Sequence, residues 1–236
     1  MPLSIELLRT KYYQDNQIAG NLAIANNLRK RFAGIINEAC SSGNGNFDPY
    51  VLESFFCIES AGDPNAINGA TFGLGQLDSP TASNIPFWLK KRAKIMTSSQ
   101  ETKIRELFGN QLADCLLSLK YDNAPSKCSG SANSINLITK AMLLNPEKNI
   151  WLSSMYIDYL IDKYSIGGTP ITPPTSVRLD RVIVHYNAGQ GNAAKVPQGL
   201  TPSDTTNWVK SKLSITTSDY ILKLIGKNGF IDILTR

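Results

Sequence analysis

The sequence predicts a mostly α-helical fold, and three observations carry that expectation. Apolar residues recur at three- and four-residue spacing through most of the chain, as in helices with one buried face. Clusters of Gly, Pro, Ser and Asn punctuate these segments, and long alternating runs are missing. Gly69 to Leu77 is too rich in glycine for helix, but it is short and fits a small β-hairpin or an irregular loop.

In chain order, "SIELLRTKYY" reads as a first helix and "QIAGNLAIANNLRKRFAGIINEAC" as a second, so helices fill positions 1–42 up to the turn cluster "SSGNGN". "FDPYVLESFFCIES" restarts a helix with Asp48 as N-cap and Pro49 at the first helical position. A helical insert covers 83–148. Within it "SSQETKIRELFG" carries a capping box, Ser98 with Glu101, and stops at Gly109. "QLADCLLSLKY" and "SANSINLITKAMLLN" follow around a polar loop, where Cys115 and Cys128 would pair in an oxidising compartment. "PEKNIWLSSMYIDYLIDKYS" is the most hydrophobic helix, with Ile150, Ser153, Ile157 and Leu160 spaced to share one face. "VRLDRVIVHYNAG" reads as a buried helix ending at Gly189, and the tail, 196–236, adds "TPSDTTNWVKSKL" and "SDYILKLIGK". No internal repeat divides the chain, so residues 1–236 are expected to form a single domain.

Composition narrows the function classes. The chain has 236 residues, 42% hydrophobic and 18% charged, enough to bury a sizeable core. No stretch reaches the roughly 20 apolar residues of a membrane span. A basic segment followed by an apolar one, as in a secretory signal, is not seen at the start. A net charge of +5 and a pI near 9.0 suit an acidic polymer such as nucleic acid, anionic lipid or anionic cell wall. The one basic cluster, "LKKRAK", reads as a solvated helix face, so no nucleic-acid partner is expected. Four cysteines without a CxxC pair, and the lone His185, argue against zinc; no metal or cofactor is expected.

The stretch "SFFCIESAGDPNAINGATFGLGQL" carries the chemistry. Glu59 ends an apolar helix beside Phe55, Phe56 and Ile58, where poor hydration disfavours the carboxylate and raises its proton affinity. A carboxyl that keeps its proton near neutral pH can act as a general acid on a glycosidic oxygen. Asp63 and Asp78 nearby read as turn or capping residues.

These residues, with two later blocks, resemble the soluble lytic transglycosylase (SLT) family of the lysozyme-like superfamily. The first block is Glu59-Ser60, Pro64, Ala66, Gly69-Ala70, Gly73-Leu74-Gly75-Gln76 and Thr81-Ala82. The second is "NIWLSSMYIDYL", with Ser153 where the family usually has Gly, implying slightly wider helix packing there. The third is Tyr186-Asn187-Ala188-Gly189 with the trailing Gly191; His185 stands where a small residue is common and reads as a packing or surface residue. The resemblance covers about 48–195 and leaves both chain ends outside it.

The resemblance implies a goose-type or SLT lysozyme-like domain acting on peptidoglycan glycan strands at the bacterial cell wall. It implies Glu59 as the single catalytic acid and base, with Ser60, Gly73, Leu74, Gln76, Tyr186 and Asn187 around the substrate. Ser60 would orient Glu59 or a substrate acetamide, Gln76 would bond sugar groups, and Tyr186 would hydrogen-bond Glu59 and stack on a sugar. The absent signal suggests a virion, or another delivery apparatus, whose proteins would be further partners. A goose-type hydrolytic lysozyme and a non-catalytic wall-binding component are the alternatives.

Overall fold

A computed structural model describes residues 5–44, 47–118, 137–166 and 176–236. The expected pairing of Cys115 with Cys128 lies outside these residues, because Cys128 falls in the gap 119–136. The chain is mostly helical with a small three-stranded antiparallel sheet. No helix is long and apolar enough to cross a membrane among the described residues.

Helix α1 (Ile18–Ser41) buries Ala25, Leu28, Phe32, Ile36 and Ala39, a stripe at three- and four-residue spacing, and lays it on helices α2 (Pro49–Ser60) and α6 (Pro146–Tyr164). Helix α2 is covered all round from Val51 to Cys57. Even Glu53 is buried there, and Arg29 of α1 holds it with Nε and Nη2 donating to Oε2 at 2.9 and 2.7 Å. Asp48 occupies the N-cap position and Pro49 opens the helix, although the Asp48 side chain makes no capping bond. Two left-handed residues, Ala61 (φ 52°) and Gly62 (φ 74°), end α2 one residue after Ser60 and turn the chain sharply at Glu59.

The glycine-rich stretch forms strands β1 (Ile67–Asn68), β2 (Thr71–Phe72) and β3 (Leu77–Asp78), paired antiparallel in that order. Asp78 then caps α3 (Ser79–Phe87), its Oδ1 accepting from the Thr81 amide at 2.6 Å. A π-helical turn (Trp88–Ala93) leads to α4 (Ser98–Ser118), two helical stretches that meet at a kink, the first stopping at Gly109 (φ 74°, ψ 156°) as the sequence predicts. After the short α5 (Lys140–Leu143) comes α6, the axis of the fold, in which every residue from Asn149 to Ile161 is buried. A two-stranded ladder, β4 (Ser165–Ile166) with β5 (Ser176–Val177), precedes α7 (Leu179–Ala193), whose first helical stretch likewise stops at a kink at Gly189 (φ 80°, ψ 166°). Helices α8 (Pro202–Lys212), α9 (Ile215–Ile225) and α10 (Phe230–Leu234) complete the chain.

Two expectations are corrected. "SIELLRTKYY" is not helical over its described part; Leu8 N–H donates to the Ile225 carbonyl at 2.7 Å and Lys227 N–H to the Thr10 carbonyl at 3.0 Å. Its helical spacing loses to backbone pairing with the C-terminal tail, a partner sequence periodicity does not reveal. The capping box of α4 is set one residue earlier than expected, at Thr97 and Gln100. Gln100 N–H donates to Thr97 Oγ1 at 3.1 Å and Thr97 N–H to Gln100 Oε1 at 3.0 Å. "TSSQE" holds two overlapping boxes, and tertiary contacts choose between them: Thr97 Oγ1 donates to the Ser42 carbonyl at 2.7 Å, while Glu101 is drawn to Lys90 at 2.7 Å.

Thr97→Ala should therefore cost about 1–2 kcal/mol, the usual range for a lost cap, whereas Ser98→Ala should stay within about 0.5 kcal/mol. Urea unfolding of both variants measures this, and equal losses would contradict the assigned register.

Candidate active site

Glu59 sits in the last turn of α2, where the chain's own folding desolvates it. Phe55, one turn before it, is fully buried against Tyr186 and Tyr220, with ring centroids 4.7 and 6.2 Å away. Burial raises the Glu59 pKa from an ordinary 4.5 to about 7, against a smaller opposing effect from a hydrogen bond. That bond comes from Tyr220 of α9, whose hydroxyl donates to Glu59 Oε1 at 2.6 Å. The carboxyl also lies at a helix C-terminus, where unpaired carbonyls oppose negative charge. Glu59 thus keeps a substantial protonated fraction near neutrality, with its carboxyl anchored by Tyr220.

The carboxyl opens into a cavity of about 430 Å³ between the small sheet, α6 and α7. Asn68, Thr71, Gln76 and Asp78 line it from the sheet side, and Tyr156, His185, Tyr186 and Asn187 from the helices. Oxygen and nitrogen groups dominate that wall, which suits a polyhydroxylated ligand better than an apolar one. Among the described residues no group of three or more His, Cys, Asp or Glu could hold a metal ion.

The loop after β2 is pinned to the helices by its own backbone. Gly75 N–H donates to Asn149 Oδ1 at 2.8 Å, and the Gly75 carbonyl accepts from the Tyr186 hydroxyl at 2.7 Å. Asn149 Nδ2 meanwhile donates to the carbonyls of Phe72 and Leu143 at 2.9 and 3.0 Å. A Cβ on Gly75 would collide with Ser153 Oγ and come within 2.9 Å of the Tyr186 hydroxyl. Ser153, expected to widen the packing, instead presses on the space that glycine leaves.

The expected site residues separate into two groups. Glu59, Gln76, Tyr186 and Asn187 come together around the cavity. Gln76, at φ 47°, spends its amide within its own loop, on the Gly73 carbonyl at 2.7 Å and the Ala66 carbonyl at 3.2 Å. Asn187 Oδ1 accepts from Thr217 Oγ1 of α9 at 2.9 Å. Ser60, Gly73 and Leu74 do not line the cavity. Ser60 Oγ donates back along the helix to the Phe56 carbonyl at 3.0 Å. Gly73 has φ 74° and packs against Asn149, and Leu74 is fully buried core. Tyr186 does not donate to Glu59, because its single hydroxyl proton goes to Gly75; that task falls to Tyr220.

Sequence reasoning missed Tyr220, since it lies in the tail beyond the recognisable blocks. Its only trace was a phenol on an amphipathic helix, three residues after Thr217, so that both share the face that meets the site. Asp63 accepts from the Asn65 amide at 2.9 Å as a turn residue, and Asp78 both caps α3 and lines the cavity. His185 is buried, its Nδ1 3.0 Å from the Tyr164 hydroxyl. Burial and the nearby Lys163 push its pKa down to about 4, so it is neutral. None of the described part of 83–148 lines the cavity.

No protein-family model matches the chain, and no curated protein matches it in sequence.

Burying an acid has a stability signature. The folded Glu59 keeps its proton up to about pH 7, whereas an unfolded glutamate releases it near 4.5. The native state therefore binds the proton more tightly, and stability falls as pH rises between those values, then levels. The loss is on the order of 3 kcal/mol at 1.36 kcal/mol per pKa unit. Glu59→Gln should remove this slope and unfold later than wild type at pH 8, with little difference at pH 4; parallel stability curves would refute the buried acid. Tyr220→Phe deletes a donor to the charged form, so the Glu59 pKa should rise by roughly one to two units. Carbon-detected NMR titration of the carboxyl reads the shift, and an unmoved midpoint would deny the Tyr220 contact any role.

Proposed function

We propose that this protein is a peptidoglycan lytic transglycosylase that cleaves between N-acetylmuramic acid and N-acetylglucosamine and leaves 1,6-anhydro ends. The observation that carries the proposal is Glu59, its proton affinity raised by burial, bonded by Tyr220 and opening into a polar cavity. The ordered Glu-Ser, Gly-Leu-x-Gln, Asn-Ile and Tyr-Asn-Ala-Gly blocks support it. So does a net charge of +5, suited to an anionic wall.

In this mechanism Glu59 donates its proton to the bridging oxygen as the bond to C1 breaks. The acetamido oxygen of the muramic sugar closes onto C1, replacing a protein nucleophile. Glu59, now a carboxylate, takes the proton of the C6 hydroxyl. That oxygen then displaces the acetamido group at C1, the anhydro ring forms, and the acid is restored. One side chain serves both steps because a pKa near 7 makes proton loss and gain comparably easy at neutral pH. Tyr220 steadies the transient carboxylate, and the Gly75 loop leaves the glycan room. The setting we favour is local wall penetration by a virion or another delivery apparatus.

Hydrolysis by a goose-type lysozyme route is the second reading, and one observation favours it. Asp78 brings another carboxyl to the same cavity and could orient a water. Its Oδ1 is already engaged by the Thr81 amide, which weakens it as a base.

Purified protein should clear a peptidoglycan zymogram, and Glu59→Gln should lose at least about a hundredfold in rate, as for removal of a general acid, while still binding sacculi. Released muropeptides should be lighter by one water than lysozyme products; hydrated ends would replace this assignment with the hydrolytic one. With wild type, kcat should fall as pH rises through about 7, because the acid form is lost. Undiminished clearing by Glu59→Gln would remove Glu59 from the chemistry.

A further inference from the structure

A second cavity, of about 600 Å³, lies between the C-terminal end of α6 and α7, and among the described residues every ionisable side chain on its wall apart from the phenol of Tyr164 is a cation. These are Lys163, Arg178 and Arg181, with the amide side chains of Gln190 and Gln198 beside them. One carboxylate is near: the buried Asp180, gripped by Arg178 through Nε–Oδ1 at 2.9 Å and Nη2–Oδ2 at 2.6 Å. Arg181 is buried and donates to the carbonyls of Val196 and Pro197, neutral partners that do not compensate its charge. Lys163 lies 5.9 Å from the ring centres of both Tyr159 and Tyr164, and no carboxylate reaches it among the described residues. Three cations against one carboxylate leave an excess of about two positive charges in a concave, partly dehydrated wall, where unpaired charge is costly. Burial pushes the pKa values of both Lys163 and Arg181 down, helped at Lys163 by repulsion from Arg92, which does not line the cavity, and at Arg181 by repulsion from Arg178, which does. An anion would relieve that repulsion.

One hydrogen-bonded pair lies between this cavity and the Glu59 cavity. Tyr164 lines the basic side and His185 the Glu59 side, with the Tyr164 hydroxyl 3.0 Å from His185 Nδ1. A polymer held at Glu59 therefore has a cationic pocket one side-chain layer away. We propose that the cavity between α6 and α7 is a second ligand site, for carboxylate groups carried on the polymer bound at Glu59. The identity of that polymer rests on the function proposed above; in peptidoglycan the carboxylates are those of the peptides attached to the muramic sugars. The lining fits carboxylates because the Lys163 ammonium and the amide groups of Gln190 and Gln198 can donate to a two-oxygen anion, while the engaged guanidinium groups of Arg178 and Arg181 add positive charge behind them.

The chain has a single histidine, so the His185 ring signals report on this wall without overlap. The first experiment titrates glutarate into the whole protein at low salt and follows those signals by NMR. A saturable shift is expected, weakened at least threefold in Lys163→Gln and in Gln198→Glu, two substitutions at the cavity rim. No saturable shift, or equal affinity in wild type and both variants, overturns the site. The second compares binding of glycan strands with and without their peptides in the Glu59→Gln background, where turnover is blocked. The preference for peptide-bearing strands should shrink at least threefold when Lys163→Gln is added; an unchanged preference overturns the proposed occupant. Glutarate binding without any glycan binding would leave a carboxylate site standing but sink the peptidoglycan assignment, so the two failures are distinguishable.

Discussion

The approach of the Gly73–Gln76 loop to helix α6 is the constraint on which the rest of the site depends. Both backbone polar groups of Gly75 are taken by side chains, N–H by Asn149 and C=O by Tyr186, in a position too tight for a Cβ. A buried peptide group with no partner would cost about 1–3 kcal/mol, so the two bonds hold the loop where glycine alone fits. Asn149 gathers the loop, β2 and the end of α5 through one amide group. The cavity floor is thus set by two helices reaching the same residue.

Across the cavity, Glu59 lives with an unfavourable environment that the fold maintains. The aromatic groups that dehydrate it, Phe55, Tyr186 and Tyr220, come from three different helices. Their packing lifts the carboxyl's proton affinity, while the Tyr220 hydroxyl partly offsets the lift. A wholly apolar pocket would leave the acid too weak to release its proton, and an open one would leave it ionised. Burial with a single donor yields a value between those limits.

The chain ends contribute to this balance. The N-terminal segment pairs with Ile225 and Lys227, and Asn228 Nδ2 donates to Asp15 Oδ1 at 2.8 Å and to the Tyr13 carbonyl at 3.3 Å. That knot anchors α9 and α10 against α1 and α2, and α9 delivers Tyr220 to Glu59 and Thr217 to Asn187. The segments outside the recognisable blocks therefore complete the site.

The sequence by itself determined the helical class, the turn chemistry and the acid. Periodicity depends on neighbours three and four residues away, the turn after Ser41 on its glycine and asparagine cluster, and the dehydration of Glu59 on the apolar helix that carries it. Tertiary structure decided whatever required choosing among equals. Two overlapping capping boxes were available at α4, and the Ser42 carbonyl picked Thr97. Tyr186 was the one tyrosine expected at Glu59, but its proton goes to the Gly75 carbonyl, and Tyr220 from the tail donates to the acid instead. An N-terminal segment with helical spacing became extended because a partner 217 positions later, as Leu8 pairs with Ile225, offered its backbone bonds. Such choices turn on partners distant in the chain, and local pattern carries no information about which distant group will arrive.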